Sequence, residues 1–256
     1  MRPAAMVFAL AAAMIAGCGG ELDVGSDVLW SARFEGNNFD EWSAASGRGA
    51  MAFPANNLIE VSSERAHHGT YAAKLTIDTS AGGVQENSLL SRAGGLPQEA
   101  YYSAWYYLPR SVTVGTFWVI FKFRLRGVDT DASTEAEFYD LDLLELPTGE
   151  MTVVLYNHRT AGNIALDVPD PVVPVGAWFQ VEAFYRNAND TSGRLTYWLD
   201  GRQIIDITGQ AMAPTDWIEW DACSVGENLS PNPAVLFIDD CAVSNARVGP
   251  AGVIAH

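Results

Sequence analysis

Short segments rich in aromatic and β-branched residues follow one another along most of this chain. Many alternate apolar with polar residues, the pattern of strands that bury one face. They are residues 71–77, 102–108, 117–126, 138–146, 151–156, 178–185, 195–199 and 203–207. Asp200-Gly201 joins the last two as a hairpin turn, because a type I′ turn needs positive φ at both central residues. Capped amphipathic helices of ordinary length are missing from the pattern, which therefore predicts an all-β fold, an antiparallel β-sandwich.

The N-terminus carries an export signal. Arg2 precedes an apolar run that ends in Ile15-Ala16-Gly17-Cys18. A positive start, an apolar stretch of about 7 to 15 residues and small residues before the cut are typical of a signal peptide. The cysteine directly after the cut is able to carry lipid. We therefore expect a signal peptide over residues 1–17, a lipidated Cys18, a tether over residues 18–28, and a location in the bacterial cell envelope outside the cytoplasm.

Length and charge limit the domain count and the partners. Removal of residues 1–17 leaves 256 − 17 = 239 residues, which suits one all-β domain over residues 29–250 with a tail over 251–256. Without Arg2 the balance of basic and acidic side chains is 14 − 31 = −17. Nucleic acid is not an expected partner, since a phosphate backbone needs a basic surface. We expect a monomer that contacts the membrane through its lipid alone.

Cys223 and Cys241 are the two cysteines that remain after Cys18 is lipidated. Residues 219–226 and 234–244 have strand character on either side of a turn-rich stretch centred on position 232. A hairpin there places the two cysteines opposite each other, at a separation close to that of a disulfide. An exported protein allows the bond, so the pattern predicts a Cys223–Cys241 disulfide, with two buried free thiols as the alternative.

The order of the segments resembles the concanavalin A-like lectin and glucanase superfamily, within it the polysaccharide-lyase-like and laminin-G-like jelly rolls. The resemblance spans nearly all of the mature chain. It rests on RFEGNNFDEW (33–42), SSERAHHGTYAAKLTI (62–77), YYSAWYYLP (101–109), the stretch 173–204 and VLFIDDCAVSNARVG (235–249). It implies a concanavalin A-like jelly roll. The superfamily contains lectins, lyases, glycosidases and non-catalytic modules, so chemistry depends on the site.

A row of cations marks the strand at 117–126. Strict alternation sends Phe117, Val119, Phe121, Phe123 and Leu125 to one face, and Trp118, Ile120, Lys122, Arg124 and Arg126 to the other. Lys122 and Arg124 then face outward, where they would bind the carboxylates or sulfates of an anionic polysaccharide. Trp118 on the same face, and Trp198 on another strand, offer flat platforms for sugar rings. The alternative is that the cations pair with acidic neighbours such as Asp140 or Asp142.

The resemblance also implies two catalytic alternatives. Lyases of the superfamily usually present a Gln and a His on the strand that here holds Lys122 and Arg124. This chain departs from that pattern, which leaves Arg124 and Arg92 to neutralise a uronate carboxylate and Tyr156 or His158 to transfer protons. Asp140, Asp142 and Glu145 instead have the i, i+2, i+5 spacing of laminarinase-type glycosidases. That spacing needs a β-bulge to bring Glu145 onto the face of the other two.

A calcium site is implied where the terminal strands of many such sandwiches meet. Glu35 near the first strand and Asp239 and Asp240 in the last have the oxygen ligands that Ca²⁺ prefers. A solvated acidic strand end is the alternative. The four histidines, including His67-His68, have no zinc-ligand spacing.

The sequence thus favours a lipid-anchored protein that binds an acidic polysaccharide. The main alternative is a lyase that cleaves a uronate polymer by β-elimination. A laminarinase-type glycosidase and a non-catalytic adhesion module are further alternatives.

Overall fold

The computed structural model describes residues 22–23, 27–42, 49–90, 96–125, 136–212 and 218–253, and their regular structure is almost entirely β. A single 3₁₀ turn, Thr79–Ala81, is the one helical element in these ranges. None of the described residues belongs to a helix long and apolar enough to cross a membrane. The strands form two large antiparallel sheets that pack face to face, which confirms the predicted antiparallel sandwich.

Sheet I carries a cleft on its outer face. Its strands in spatial order are β11 (Gly162–Ile164), β10 (Met151–Asn157), β9 (Ala136–Glu145), β8 (Thr113–Leu125), β16 (Ile218–Ser230), β6 (Gln85–Leu90) and β3 (Met51–Phe53). A short strand, β12 (Val172–Val173), also pairs with β10.

Sheet II, like sheet I, has eight strands. Their spatial order is β15 (Arg202–Thr208), β14 (Arg194–Leu199), β13 (Trp178–Arg186), β7 (Glu99–Tyr107), β17 (Ala234–Ser244), β5 (Ala72–Ile77) and β4 (Leu58–Ser62), and β2 (Val28–Ala32) also pairs with β17. Asp200 and Gly201 join β14 to β15 with φ of 48° and 76°, as the predicted I′ turn requires.

The core fills the space between the sheets. Trp220 of β16 lies at its centre, with ring centroids 5.5 Å from Tyr102 and 5.3 Å from Phe121. Trp42 packs 5.8 Å from Trp220 and closes one end of this cluster. All four side chains are fully buried, and aromatic rings of this size contribute a large share of the apolar area that stabilises a sandwich.

Strand β8 contains a β-bulge that strict alternation did not predict. Val119 is opposite Asp142 of β9, whereas Phe121 is opposite the adjacent Leu141, so Ile120 is an extra residue on β8. Such an insertion moves the following side chains to the other face of the sheet. The Tyr106 hydroxyl, from sheet II, donates a 2.9 Å hydrogen bond to the Ile120 carbonyl.

The bulge corrects the predicted faces of β8. Trp118 and Ile120 pack in the core together with Phe121 and Phe123. Phe117 and Val119 lie on the outer face of sheet I, in a small cluster with Cys223 and Val225. Trp118 is fully buried, so it offers no platform to a sugar, contrary to the prediction.

The predicted Cys223–Cys241 hairpin is wrong. Cys223 lies in β16 of sheet I and Cys241 in β17 of sheet II, so the turn between these strands crosses from one sheet to the other. Both cysteines are buried free thiols. Burial raises both thiol pKa values well above the ordinary value, which keeps them protonated and unreactive.

The first and last described strands meet on the sheet II side. Strand β1 (Leu22–Asp23) pairs in parallel with β18 (Gly252–Val253), so strands form inside the predicted tether and tail. Just before β18, residues 247–249 cross the outer face of sheet II, where Glu182 accepts hydrogen bonds from the Val248 and Gly249 amides. The predicted signal peptide over residues 1–17, Cys18 and Arg92 lie outside the described residues.

Candidate functional site

An open cleft of about 590 Å³ lies on the outer face of sheet I. Strands β8, β9 and β10 form its floor, and β6 and β16 form one side. Its lining combines apolar and polar side chains. The lining includes Val84, Glu86, Phe117, Val119, Asp140, Asp142, Leu144, Val154, Tyr156, His158, Asn163 and Val225.

Tyr156 and His158 meet Asp140 in this cleft. The antiparallel register of β9 and β10 sets Tyr156 directly opposite Asp140. His158 follows β10, and its Nε2 lies 2.7 Å from Asp140 Oδ2. The Tyr156 ring stands edge-on to the imidazole at 4.9 Å between centroids. The structure therefore brings both proton-transfer candidates of the lyase hypothesis to one carboxylate.

Lys122 and Arg124 lie on the outer face of sheet I but are only 1% and 6% exposed. Arg124 Nη2 donates to Glu86 Oε1 at 2.9 Å, and its Nε lies 3.1 Å from Asp221 Oδ2. Lys122 Nζ lies 3.6 Å from Glu86 and 3.5 Å from Asp221. These contacts favour the ion-pair alternative over direct contact of the cations with a polysaccharide.

The buried charges change each other's protonation. Burial raises the pKa of Asp221 to about 7, while Arg124 and Lys122 limit the rise. Burial also acts on Glu86, but there the two cations outweigh it and the pKa falls. Sequence reasoning missed both carboxylates, because neither lies near the cations in the chain.

Glu145 does not join Asp140 and Asp142. Strand β9 pairs with β10 in unbroken register from Tyr139 to Glu145, so no bulge lies between Asp142 and Glu145. Asp140 and Asp142 share the cleft face. Glu145 is three residues after Asp142, and because side chains alternate along a strand it points to the other side. The predicted carboxylate pair of a retaining glycosidase is therefore not assembled.

Trp198 lies on the outer face of sheet II, away from the core, and is only 8% exposed. The Arg247 guanidinium covers its ring, 4.3 Å from the centroid. Arg247 is held there by Glu182, at 2.8 Å from its Nε. Trp198 thus does not offer a free platform for a sugar.

The predicted metal residues Glu35, Asp239 and Asp240 all contact the segment 67–71. Glu35 Oε1 accepts the backbone amides of residues 70 and 71 at 2.9 and 3.0 Å. Asp239 Oδ2 accepts the amide of His67 at 2.8 Å. Asp240 Oδ2 lies 2.7 Å from His67 Nδ1 and 2.5 Å from His68 Nδ1.

This donor set does not fit Ca²⁺. That ion takes six to eight oxygen ligands, whereas these carboxylates face backbone N–H groups and imidazole nitrogens. Burial and the charge of Asp240 raise the pKa of Asp239 to about 8. Burial opposes ionisation of Asp240 as well, but the hydrogen bonds with His67 and His68 outweigh it and lower that pKa.

Comparison with solved structures identifies the fold. An endo-β-1,4-glucuronan lyase from the fungus Trichoderma reesei is similar with a TM-score of 0.66 and 15% identity, over 88% of this chain and 100% of that chain. An alginate lyase in complex with alginate trisaccharide is similar with a TM-score of 0.55 and 12% identity, over 85% of this chain and 98% of that one. No protein-family model and no curated protein matches the sequence.

The globular domain of T. cruzi calreticulin is also similar, with a TM-score of 0.54 and 10% identity over 86% of this chain and 88% of that chain. The fold is therefore the concanavalin A-like, polysaccharide-lyase-like sandwich that the resemblance predicted. Identities this low show the fold alone, and one fold carries several functions.

Proposed function

We propose that the chain binds a polysaccharide in the cleft on sheet I. The observation that carries the proposal is the convergence of Tyr156, His158 and Asp140 in a cleft of about 590 Å³. That volume lies within the range of about 300–1,000 Å³ typical of ligand sites. The likeness in fold to a glucuronan lyase and an alginate lyase supports a polysaccharide as the ligand.

The two kinds of side chain in the cleft suit the two kinds of surface on a sugar ring. Phe117, Val119 and Val154 provide apolar surface for the C–H faces. Asp142 and the Asp140–His158 pair provide acceptors and donors for hydroxyl groups. Lys122 and Arg124 act beneath the cleft by fixing Glu86 and Asp221, and the proposal gives them no direct contact with ligand.

A second candidate function is β-elimination on a uronate polymer. The pairing of His158 with Asp140 favours it, because a carboxylate that bonds one ring nitrogen fixes the tautomer and orients the ring. His158 would remove the proton next to the uronate carboxylate, and Tyr156 would donate a proton to the leaving oxygen. Arg92 is the candidate that neutralises the uronate.

The test separates a binder from a lyase. The purified chain is incubated with alginate, glucuronan and cellulose; retention is measured by affinity electrophoresis, and cleavage by the ultraviolet absorbance of the unsaturated product. We expect retention on at least one polymer and its loss in His158→Ala plus Tyr156→Phe. A lyase would also produce the absorbance, and each single change would slow it by about 10² to 10⁴-fold.

Matched controls lie on the other sheet. His68→Ala and Tyr107→Phe change the same residue types on the outer face of sheet II, and we expect both to leave retention unchanged. Retention that survives the double change in the cleft, or that falls equally in the controls, contradicts the proposal.

We further propose that the protein is a lipoprotein of the bacterial cell envelope, anchored through Cys18. The Ile15-Ala16-Gly17-Cys18 sequence after an apolar run supports this. Cells fed a labelled fatty acid should incorporate it into the protein, and Cys18→Ala should abolish incorporation. Equal labelling of the Cys18→Ala variant would contradict the anchor and leave the cleft proposal untouched.

A further inference from the structure

His67, His68 and Asp240 converge on the outer face of sheet II, on the opposite side of the sandwich from the cleft. Their ligand atoms, one from each residue, all lie within 4.8 Å of one another. Both imidazoles present Nδ1 to the same carboxylate oxygen, at 2.7 and 2.5 Å. Two ring nitrogens thus face one carboxylate oxygen.

The backbone around the cluster holds this geometry without help from the imidazoles. Strand β17 changes register against β7 between Asp239 and Ala242, and Asp240 has a φ of 42°. This bulge turns two consecutive carboxylates toward the segment 67–71. Asp239 fixes the amides of His67 and His68, while Glu35 fixes the next part of the segment.

The surroundings fix the side chains to different degrees. His67 stacks on Trp105 at 3.8 Å between centroids with an 18° interplanar angle, so its rotation is restricted. Arg33 Nε lies 3.2 Å from Asp240 Oδ1, the oxygen that the imidazoles do not contact, and so orients the carboxylate. The His68 side chain is 42% exposed, so one side of the cluster is open to solvent.

We propose that His67, His68 and Asp240 form a site for a divalent transition metal of the zinc class. Imidazole nitrogen with one carboxylate is a donor set that suits Zn²⁺, and three protein ligands leave a position for water. The hydrogen bond from Arg33 is the kind of outer contact that orients a ligating carboxylate. The same donors explain why the predicted calcium site does not fit here, since two of the three are nitrogen atoms and Ca²⁺ prefers oxygen ligands.

The geometry requires a small adjustment on binding. Zinc lies about 2.0–2.2 Å from nitrogen and oxygen ligands, so tetrahedral ligands are separated by about 3.4 Å. Each imidazole must therefore move away from Asp240 by roughly 0.8 Å. His68 can do so because it is partly exposed, and each ring must present an unprotonated Nδ1 to the ion.

The test uses the purified full chain and Zn²⁺ itself. Equilibrium dialysis with metal analysis should show one bound Zn²⁺ per chain, and Co²⁺ in its place should give the visible absorption of a tetrahedral site. His68→Ala should weaken Zn²⁺ binding at least about tenfold. Loss of a residue that only hydrogen-bonds to a metal ligand already weakens metal binding about 10- to 100-fold, and loss of a ligand should cost no less. The exposure of His68 makes loss of folding an unexpected result, which a thermal unfolding curve checks.

His158→Ala is the matched control, since it removes a histidine that also pairs with an aspartate but lies in the cleft. It should leave Zn²⁺ binding unchanged. Absence of stoichiometric Zn²⁺, equal loss in both variants, or tighter binding of Ca²⁺ than of Zn²⁺ would overturn the proposal. None of these results bears on polysaccharide retention, so the two proposals fail separately.

Discussion

Asp221 has no exposed surface, yet it lies within 3.5 Å of both Lys122 and Arg124. Burial raises its pKa to about 7, and the two cations limit the rise. An unfolded aspartate loses its proton near pH 3.9. Between these two values the folded state binds more protons than the unfolded state, so the free energy of unfolding falls as the pH rises.

We therefore expect Asp221→Asn to flatten this decline between about pH 4 and about pH 7. The change in slope should be up to about 1.4 kcal/mol per pH unit, because one proton is involved. Chemical denaturation at a series of pH values measures it. The control is Asp167→Asn, an exposed aspartate outside the cleft, which should leave the slope as it is. An unchanged slope in Asp221→Asn would show that Asp221 is ionised throughout this range.

Neighbours that are close in sequence are the easiest to place from sequence alone. Tyr156 and His158 are two residues apart where β10 ends, beside the strand that holds Asp140, and their roles in lyase chemistry stay a prediction. The partners of Arg124 are Glu86 and Asp221, which lie far from it in the chain on two other strands. No local pattern indicates such pairs, so the burial of the cations could not be predicted.

The same reason explains the histidines. His67-His68 has no zinc spacing along the sequence, and the carboxylate that both rings contact is more than 170 residues away. Only the pairing of β17 within sheet II brings it to them.

At the scale of elements, the bulge in β8 decides which side chains reach the cleft. The Tyr106 hydroxyl is fully buried and donates to the carbonyl of Ile120, the inserted residue. Tyr106→Phe leaves that carbonyl without this donor, so we expect a loss of about 1–3 kcal/mol of unfolding free energy. Because the bulge places Val119 at the cleft, polysaccharide retention should fall as well.

Tyr185→Phe is the matched control. Its hydroxyl is buried in the same core but has no hydrogen-bond partner among the described residues. Removing an unpaired buried hydroxyl should leave stability unchanged or raise it slightly. Denaturation midpoints of the two variants compare them directly. A loss in Tyr185→Phe equal to that in Tyr106→Phe would mean that the hydrogen bond to the bulge contributes nothing of its own.

Strand positions were predictable and strand partners were not. The aromatic and β-branched segments at 151–156 and 178–185 correspond closely to β10 and β13. The turn after β16 was also recognised, but a turn signal shows only that the chain reverses. Whether the next strand pairs beside the first or crosses to the facing sheet depends on contacts with distant strands. The Cys223–Cys241 hairpin failed for that reason.

At the scale of the whole molecule, the described residues cover the two faces of the sandwich differently. The cleft lies on the outer face of sheet I, whereas residues 247–249 and the segment 67–71 lie over sheet II. Strand β1 pairs with β18, which directly follows the covering residues. Cys18 is four residues before Leu22, so even a fully extended chain would attach a lipid at Cys18 within about 14 Å of β1.

A chain anchored through Cys18 should therefore hold sheet II toward the membrane and open its cleft away from it. Fluorescent labels at Thr116→Cys, on the cleft rim, and at Ala251→Cys, beside β18, report the two faces. The buried native thiols should not react under native conditions. With the lipidated protein in vesicles that carry a headgroup quencher, the label at 251 should be quenched more strongly, since quenching falls with distance.

The unlipidated Cys18→Ala form should show no difference between the labels. Stronger quenching at 116 would place the cleft against the membrane, where a long polymer could not enter it.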